Sequence, residues 1–421
     1  MMNLLKDTNV HLENKRISRI FFIFIWIAYA LVYMTKSSFS GALSAIVAEG
    51  ALTLTQASMI NAAFYAVYTP LQILGGVFAD KYSPERLVMI GLLGSAVANA
   101  IIFLNQNFIV MLLAWIFNAI IQFSLWPAIY KIISSQLVRS DRANMVFFIS
   151  FASSGGLLIN YAVSAVIPKW QYSFAISTVT LVALAVAMLF FCRCFNPSLV
   201  KDRPVETVSK ATAEGEAAKT PLGKLFLMSG FYALLIAVLV RAMVENGTKT
   251  LSATMLFQSY ESISPMIGNL LNTLIILAGV AGTVAVRFLV FPKIIKNELV
   301  MFLLLLSLSI PFAVLLRFVG KLPVGIVVAA LATIAFLLTP TVLCTQHYNM
   351  NFTKYGRNGT AAGVLNAAAS LGFTLQFCVF GPVAENLGWP IVTTIWIVMI
   401  ALGGVSIAFA IRPFKRFKES E

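Results

Sequence analysis

Long apolar runs separated by short polar breaks extend over most of the chain. Each run has about 20 residues or more, the length of helix that crosses the hydrocarbon core of a bilayer. The pattern predicts twelve membrane-spanning helices, at 18–46, 55–79, 86–105, 108–137, 142–167, 170–193, 223–256, 265–291, 299–317, 322–346, 359–384 and 389–411. We therefore expect an all-α integral membrane protein whose twelve transmembrane helices form two six-helix bundles.

The longest polar stretch divides these helices six and six. It runs from Asn196 to Thr220 and is rich in Lys, Glu, Ala and Thr, a composition typical of a flexible linker. The predicted organisation is an N-terminal six-helix bundle over 1–193, a central linker over 194–222, and a C-terminal six-helix bundle with a basic tail over 223–421.

Composition and charge place this chain in a membrane. Its 421 residues are 59% hydrophobic and 11% charged, which is too apolar for the surface of a water-soluble protein. Lys and Arg concentrate in alternate connections, and the positive-inside rule places those connections in the cytoplasm. We expect a multi-pass protein of the cell (inner or plasma) membrane with a cytoplasmic linker and cytoplasmic termini. This distribution explains the net charge of +14 without a nucleic-acid partner, and the lipid bilayer is the expected environment.

Two basic residues lie deep inside predicted helices that occupy corresponding places in the two halves of the chain. Lys36 interrupts the first helix and Arg241 the seventh, and a charge at that depth costs roughly 2.5 to 3.5 kcal/mol. Lys36 lies 15 residues beyond Phe21 and Arg241 lies 16 beyond Leu225, so at about 1.5 Å per residue the two reach nearly the same depth. Matched depth predicts one shared site for an anion, and a monomer suffices for such a site.

Further charges accompany this pair. Arg241, Glu245 and Lys249 follow one another at intervals of four, so they stack on one face of helix 7 and Glu245 can pair with either neighbour. Such a ladder can also serve stability alone. Lys131 lies near the cytoplasmic end of helix 4. Its ammonium can either contact substrate or snorkel to the membrane interface. Four cations against one carboxylate leave an excess that an anionic substrate could balance.

Polar side chains in the same helices can hydrogen-bond a phosphate or a polyol. Tyrosines and amides in membrane helices also form interfacial belts and tie helices together, so both interpretations stay open. The predicted substrate-binding set is Lys36, Arg241, Tyr33, Tyr65, Tyr68, Gln122, Lys131, Glu245 and Lys249.

Small-residue runs in two helices are expected to permit close, sliding packing at the interface of the two bundles. Gly155-Gly156 in helix 5 and the run from Gly359 to Gly363 in helix 11 lack side chains that would hold a neighbour apart. We expect these helices to move during transport.

The connection between helices 2 and 3 carries a recognisable motif. In the run from Gly75 to Arg86, a glycine is followed four residues later by Asp and then by a base, with a further base downstream. This run resembles the signature of the major facilitator superfamily, although Tyr82-Ser83-Pro84 stands where the family often has a Gly. The resemblance implies a cytoplasmic gate formed by Gly76, Asp80, Lys81, Arg86 and Arg142. Alternatively, Asp80 only caps a tight loop.

A narrower resemblance is spread over four helices. The segments Tyr33 to Ser40, Leu125-Trp126-Pro127 with Lys131, Leu239-Val240-Arg241, and Gly359 to Gly363 resemble the organophosphate:phosphate antiporters, which carry glycerol 3-phosphate or hexose phosphates. In that family an Arg of helix 1 and an Arg of helix 7 hold the substrate phosphate. The resemblance implies the same role for Lys36 and Arg241. Lys in place of Arg gives up one bidentate contact.

Enzyme signatures are missing from the sequence. It contains no Gly-rich phosphate loop ending in Lys-Ser/Thr, no HExxH pair and no Gly-x-Ser-x-Gly elbow, so we expect neither an enzyme nor an ATP-driven pump, and no metal or cofactor. The predicted function is secondary active transport of an organophosphate or other small organic anion by alternating access, in exchange with phosphate. The alternatives are a proton-coupled carrier of another small solute that uses Glu245, and a non-transporting sugar-phosphate sensor.

Overall fold

The structure is a computed structural model that describes most of the chain, namely residues 10–138, 140–195, 199–201, 221–291, 293–355 and 357–419. Residue contacts divide the chain into two compact units, 1–206 and 207–421. Within the described residues the regular secondary structure is helical except for one pair of short strands.

The first unit has eight α-helices among its described residues. In chain order its elements are β1 (Val10–Leu12), α1 (Lys15–Lys36), α2 (Ser38–Ala48), α3 (Leu54–Lys81), α4 (Pro84–Leu104), α5 (Phe108–Gln122), α6 (Leu125–Lys131), a π-helix (Ile132–Gln136), α7 (Arg142–Ser164), α8 (Gln171–Phe195) and β2 (Leu199–Lys201). Helices α1 and α2 together form the first predicted span, and α5, α6 and the π-helix form the fourth. All six spans predicted in this half are therefore helical.

The second unit has nine α-helices in its described part. They are α9 (Leu222–Met228), α10 (Phe231–Thr250), α11 (Ser252–Ser259), α12 (Pro265–Ala285), α13 (Glu298–Leu315), α14 (Val324–Leu338), α15 (Thr341–Met350), α16 (Asn358–Leu387) and α17 (Trp389–Glu419). A π-helix at Val286–Val290 extends α12, and short 3₁₀ helices follow α13 and α15 at Leu316–Phe318 and Thr353–Tyr355.

Ten helical stretches among the described residues are long and apolar enough to cross a membrane. The two further predicted spans, 55–79 and 142–167, also form helices, α3 and α7. The predicted all-α membrane class is confirmed. The predicted domain limits stay a prediction, because most of the linker lies outside the described residues.

A pair of strands at the ends of the first unit was not expected from the sequence. β1 and β2 pair antiparallel, with Val10 opposite Lys201. β1 precedes the first span and β2 follows the sixth. An even number of spans returns the chain to the side of the membrane on which it started, so the two strands can pair. β2 falls inside the predicted central linker.

Several helices begin where a polar side chain can accept hydrogen bonds from the unpaired N–H groups of the first turn. The side chain of Asn14 accepts from the backbone N–H groups of Arg16 and Ile17 at the start of α1. Thr53 and Gln56 form a reciprocal capping box at the start of α3. These caps allow short connections between long apolar helices.

Some spans are divided into two or three helices. α1 ends at Lys36 and α2 begins after the single residue Ser37. α10 follows Gly230, whose φ of 72° is a left-handed conformation that favours glycine, and it ends one residue before Leu251. Interrupted helices are common at the binding sites of membrane carriers. The first of these breaks lies directly beside Lys36.

Glycines bring two pairs of helices into close contact. A Cβ at Gly156 on α7 would overlap the carbonyl oxygen of Ala30 and lie 2.6 Å from Cβ of Tyr33, both on α1. A Cβ at Gly372 on α16 would lie 2.6 Å from the carbonyl oxygen of Leu239 on α10. Both contacts lie within one unit, so the packing predicted for helix 5 at the interface of the two bundles stays a prediction.

For helix 11, the packing that the sequence predicts at the interface of the two bundles stays a prediction, and its close contact within the second unit lies outside the run from Gly359 to Gly363. A Cβ at Gly359 or Gly363 meets no heavy atom within 4 Å in the described part of the chain, and the close contact of this helix lies at Gly372 instead. In helix 5, Gly155 makes only an ordinary contact, 3.5 Å from Trp26. A run of small residues permits close packing, but the position of the neighbouring helix decides where it occurs.

An aromatic cluster holds together one end of the second unit. The rings of Phe226 and Phe231 stack with their centroids 3.9 Å apart, and those of Tyr348 and Phe414 lie 4.6 Å apart. The hydroxyl of Tyr348 donates a hydrogen bond to the carbonyl oxygen of Ser229, at 3.0 Å. The start of α10 is thereby fixed to α15 and α17.

We expect Gly156→Ala to destabilise the first unit, because the new Cβ meets backbone of α1 that cannot rotate away, and overpacking of this kind costs about 1–3 kcal/mol. The control is Gly325→Ala on α14, where a Cβ meets no heavy atom within 4 Å of the described chain. Thermal unfolding of both purified variants measures the difference. Equal unfolding temperatures would contradict the close α1–α7 contact.

Candidate functional site

The Lys36 ammonium is surrounded by aromatic rings. Lys36 is buried, with 9% of its surface exposed. Its Nζ lies 3.6 Å from the ring centroid of Tyr68 and 5.3 to 5.8 Å from those of Phe64, Tyr33 and Tyr65. A cation over a ring face is attracted by the negative face of the ring quadrupole. We call these four rings the Lys36 cage.

Two helices supply the cage. Tyr33 precedes Lys36 by three residues on α1, so it lies on the same side of that helix. The other rings come from two successive turns of α3, where Phe64 and Tyr68 stack with centroids 5.6 Å apart and Phe64 meets Tyr65 edge-on at 5.3 Å. The predicted substrate residues Tyr33, Tyr65 and Tyr68 are thus brought together with Lys36.

The charge of Lys36 is not matched by a carboxylate. Within the part of the chain that the structure describes, Lys36 belongs to no ion pair. A buried cation in such surroundings is costly unless something offsets its charge. The ring faces provide that offset, and they carry no net charge.

Arg241 is in the opposite situation, because it is paired on its own helix. Arg241 Nη1 donates to Glu245 Oε2, and Lys249 Nζ donates to Glu245 Oε1 at 2.6 Å. The side chains of Arg241 and Glu245 are only 4% and 7% exposed. The predicted pairing of Glu245 with both neighbours is confirmed. Two cations and one carboxylate leave the ladder with one net positive charge.

The ladder retains hydrogen-bonding capacity. Arg241 Nε is buried and has no hydrogen-bond partner among the described residues. The same holds for the side-chain amide nitrogen of Asn246 and for both polar atoms of the Gln376 amide, which is fully buried on α16. Buried polar groups of folded proteins are nearly always hydrogen-bonded. These atoms are therefore candidates for binding the hydroxyl groups of a ligand.

Gln122 and Lys131 have protein partners rather than a place in the cage. Gln122 donates to the side-chain oxygen of Asn118 at 3.0 Å. Lys131 Nζ donates to the backbone oxygen of Ala79 near the end of α3. This contact ties α6 to the signature motif. The predicted contacts of Gln122 and Lys131 with substrate stay predictions.

The predicted gate is only partly described. α3 ends at Lys81, whose exposed Nζ lies 5.7 Å from the Tyr82 ring, and Arg86 is exposed on α4. The side chains of Asp80 and Arg142, and the surroundings of Gly76, lie outside the part of the chain that the structure describes. Their role in a gate stays a prediction.

The departure of the motif from the family pattern has a structural reason. Ser83 caps α4 by accepting from the N–H of Arg86 at 3.4 Å, and Pro84 occupies the first turn, so the chain turns here without a glycine. Glu85, which the sequence analysis missed, is buried and accepts from the Ser83 hydroxyl at 2.8 Å and from the Gln136 amide. This network fixes the start of α4 to the π-helix. A Ser-Pro-Glu helix start was the available signal.

An exposed ion pair joins α1 to the start of α7. Arg19 Nε donates to Asp141 Oδ2 at 3.2 Å, and the Ser140 hydroxyl donates to the same carboxylate at 2.9 Å. The hydrogen bond from Ser140 and then the one from Arg19 hold the pKa of Asp141 below its ordinary value. The sequence analysis did not identify this pair.

Comparison with known proteins defines the class. The sequence profile of the Major Facilitator Superfamily matches residues 25–377. The fold is similar to a crystal structure of a bacterial homologue of the human lysosomal transporter Spinster, with a TM-score of 0.71 and 15% identity over 96% of this chain and 99% of that one. The chain belongs to the Major Facilitator Superfamily, and the predicted fold is confirmed.

Curated relatives are similar over shorter stretches. The chain is 25% identical over 239 residues to the membrane sensor protein UhpC of Salmonella typhimurium, covering 53% of this chain and about half (54%) of that protein. It is 23% identical over 194 residues to the hexuronate transporter of Bacillus subtilis, covering 45% of this chain and 44% of that one. It is 25% identical over 124 residues to the probable hexose phosphate transport protein of Chlamydia trachomatis, covering 30% and 27%.

We expect Glu245→Gln to lower the thermal stability clearly, because it leaves Arg241 and Lys249 without a counter-charge, and breaking a buried pair costs about 3–5 kcal/mol. The control is Glu419→Gln, which removes the carboxylate of an exposed Lys415–Glu419 pair with the same spacing. That change is expected to have little effect. Thermal unfolding in lipid nanodiscs measures both variants. Equal shifts of the unfolding temperature would show that the buried ladder contributes no more to stability than the exposed pair.

Proposed function

We propose that this protein is a secondary active transporter that works by alternating access on an organophosphate or a similar small organic anion. In this proposal Lys36 of the first unit and Arg241 of the second bind the same anion. The observation that carries it is a buried cation on the first span that has no ion-pair partner among the described residues, together with a ladder of net positive charge on the seventh. Charges at such positions are rarely retained without a function.

The charge of the candidate residues suits a phosphate ester. Lys36 contributes one positive charge and the ladder another. A phosphate monoester carries about −1.5 to −2 at pH 7. The planar Arg241 fork can bind two oxygens, and its buried Nε is an available donor. The names of the hexose phosphate and hexuronate relatives support a sugar-sized anion.

In this proposal, transport of the substrate anion is driven by its exchange with phosphate. Glu245 accepts from a cation on each side, so it would have to lose both partners to carry a proton. An exchanger needs only that two anions compete for the same cations. Proton-coupled transport through Glu245 is the alternative.

A sensor is the second candidate function. The relative with 25% identity over 239 residues is named a membrane sensor protein. A sensor and a carrier can use the same anion site and differ only in whether the bound anion crosses the membrane. Transport measurements separate the two.

We further propose that the gate residues Gly76, Asp80, Lys81, Arg86 and Arg142 act on the cytoplasmic side. Lys131 supports this proposal, because its Nζ donates to the backbone oxygen of Ala79 and so ties α6 to the motif at the end of α3. In this proposal both termini and the linker over 194–222 are cytoplasmic, and the protein acts as a monomer in the cell membrane.

Neutralising either buried cation is expected to abolish anion uptake. Lys36→Gln and Arg241→Gln should each reduce glycerol 3-phosphate uptake into phosphate-loaded proteoliposomes about 30-fold or more, because loss of a buried charge contact costs about 2–5 kcal/mol. Lys224→Gln, at an exposed lysine of α9, is the control and should transport normally. Wild-type rates in both folded single variants would remove Lys36 and Arg241 from the site.

Internal phosphate is expected to drive uptake more strongly than an inward proton gradient, because the two anions exchange for one site. Glu245→Gln should retain substantial exchange per folded molecule, since the amide oxygen can still accept a hydrogen bond from Arg241 or Lys249 and both cations remain available to an anion. The measurement compares labelled glycerol 3-phosphate uptake under the two gradients. Accumulation driven by the proton gradient alone, and lost in Glu245→Gln, would establish the proton-coupled alternative. Binding without uptake under either gradient would establish the sensor.

A further inference from the structure

We propose that the Lys36 cage is a positioning device that takes the place of a counter-carboxylate, so that the ammonium is held in place while its charge stays available to an anion. Tyr68 is the principal positioning residue. Tyr33, Tyr65 and Tyr68 then act through their ring faces rather than through hydrogen bonds from their hydroxyls to the substrate. This inference rests on the proposed function, in which Lys36 binds the anion.

The distances rank the four rings. Lys36 Nζ lies 3.6 Å from the centroid of the Tyr68 ring, which is direct contact of an ammonium with a ring face. The other three centroids are 5.3 to 5.8 Å away, near the outer limit of about 6 Å for a cation–π interaction. The ammonium therefore rests on Tyr68, and the other rings exclude water and alternative side-chain positions around it.

The cage itself is held by further packing. The Phe64 ring contacts the rings of Tyr65 and Tyr68. It also contacts the buried Trp115 ring of α5, with the two centroids 5.6 Å apart. Tyr33 meets Tyr29 edge-on at 5.1 Å. Lysine has a flexible four-carbon stem, so without such surroundings its ammonium would adopt many positions. A preorganised ammonium loses less conformational freedom when an anion binds.

The ladder of the second unit shows what the cage avoids. Arg241 is bound to a carboxylate, and an incoming anion must compete with Glu245 for it. A carboxylate beside Lys36 would cancel its charge in the same way. A ring face carries no net charge, so it attracts the ammonium without cancelling its charge. An anion can therefore bind Lys36 without displacing a charged partner.

The first test separates the ring of Tyr68 from its hydroxyl. Equilibrium binding of labelled inorganic phosphate to purified protein in nanodiscs is measured for wild type, Tyr68→Phe and Tyr68→Leu. Tyr68→Phe keeps the ring and should bind within about twofold of wild type, whereas Tyr68→Leu should weaken binding about 5- to 30-fold, the loss of one desolvated cation–π contact. Tyr172→Leu, at an exposed tyrosine of α8, is the control.

The more distant ring provides a graded variant. Tyr65→Leu removes a ring whose centroid is 5.8 Å from Nζ, so its effect should be smaller than that of Tyr68→Leu. It also keeps the test decisive if Tyr68→Leu does not fold. The positioning role of the ring would be overturned if folded Tyr68→Leu bound phosphate as tightly as wild type. It would also be overturned if Tyr68→Phe lost as much phosphate affinity as Tyr68→Leu.

The second test does not depend on anion binding. Lys36→Ala empties the cage of its tethered ammonium, and free n-propylammonium should then raise the unfolding temperature of this variant. The rise should persist with Tyr68→Phe added and disappear with Tyr68→Leu added, an outcome that a purely structural role of Tyr68 would not produce. No stabilisation of Lys36→Ala by n-propylammonium would overturn the cage. Failure of wild type to bind either phosphate or glycerol 3-phosphate would instead overturn the proposed function.

Discussion

The cost of placing charge inside apolar helices is the constraint on which the rest of this structure depends. An uncompensated charge at such depth is expensive, and the two units offset it by different means. In the first unit, aromatic rings face the Lys36 ammonium, and in the second a carboxylate bridges Arg241 and Lys249. The Lys36 cage and the ladder each carry one net positive charge. The proposed anion-binding function accounts for both charges.

The fold supplies the geometry that these arrangements need. α1 ends at Lys36, so the ammonium sits at a helix break, and Gly156 allows α7 to approach α1 beside Tyr33. On α10 the spacing of four residues alone aligns the ladder, and Gly372 brings α16 against the same helix. Local sequence therefore determines the ladder. The cage requires tertiary packing between α1 and α3.

This difference explains how much the sequence could predict. Apolar length predicts the spans, and periodicity predicts the Glu245 pairing, because both depend on residues near one another in the chain. Tyr33, Tyr65 and Tyr68 were identified from their hydroxyls, but their ring faces toward Lys36 depend on how α3 packs against α1. The sequence drew attention to the Gly359 to Gly363 run, whereas the close contact of α16 with α10 lies at Gly372. Neither the strand pair nor buried Glu85 has a periodic signal.

The central claim is that Lys36 and Arg241 bind one anion together. The most direct test is a crystal structure of the protein with tungstate, an electron-dense oxyanion that anomalous scattering locates without ambiguity. The account predicts one tungstate with oxygens within hydrogen-bond distance of both Lys36 Nζ and the Arg241 guanidinium, and no such ion in Lys36→Gln. Tungstate bound inside the membrane-spanning part without contact to both side chains would contradict it.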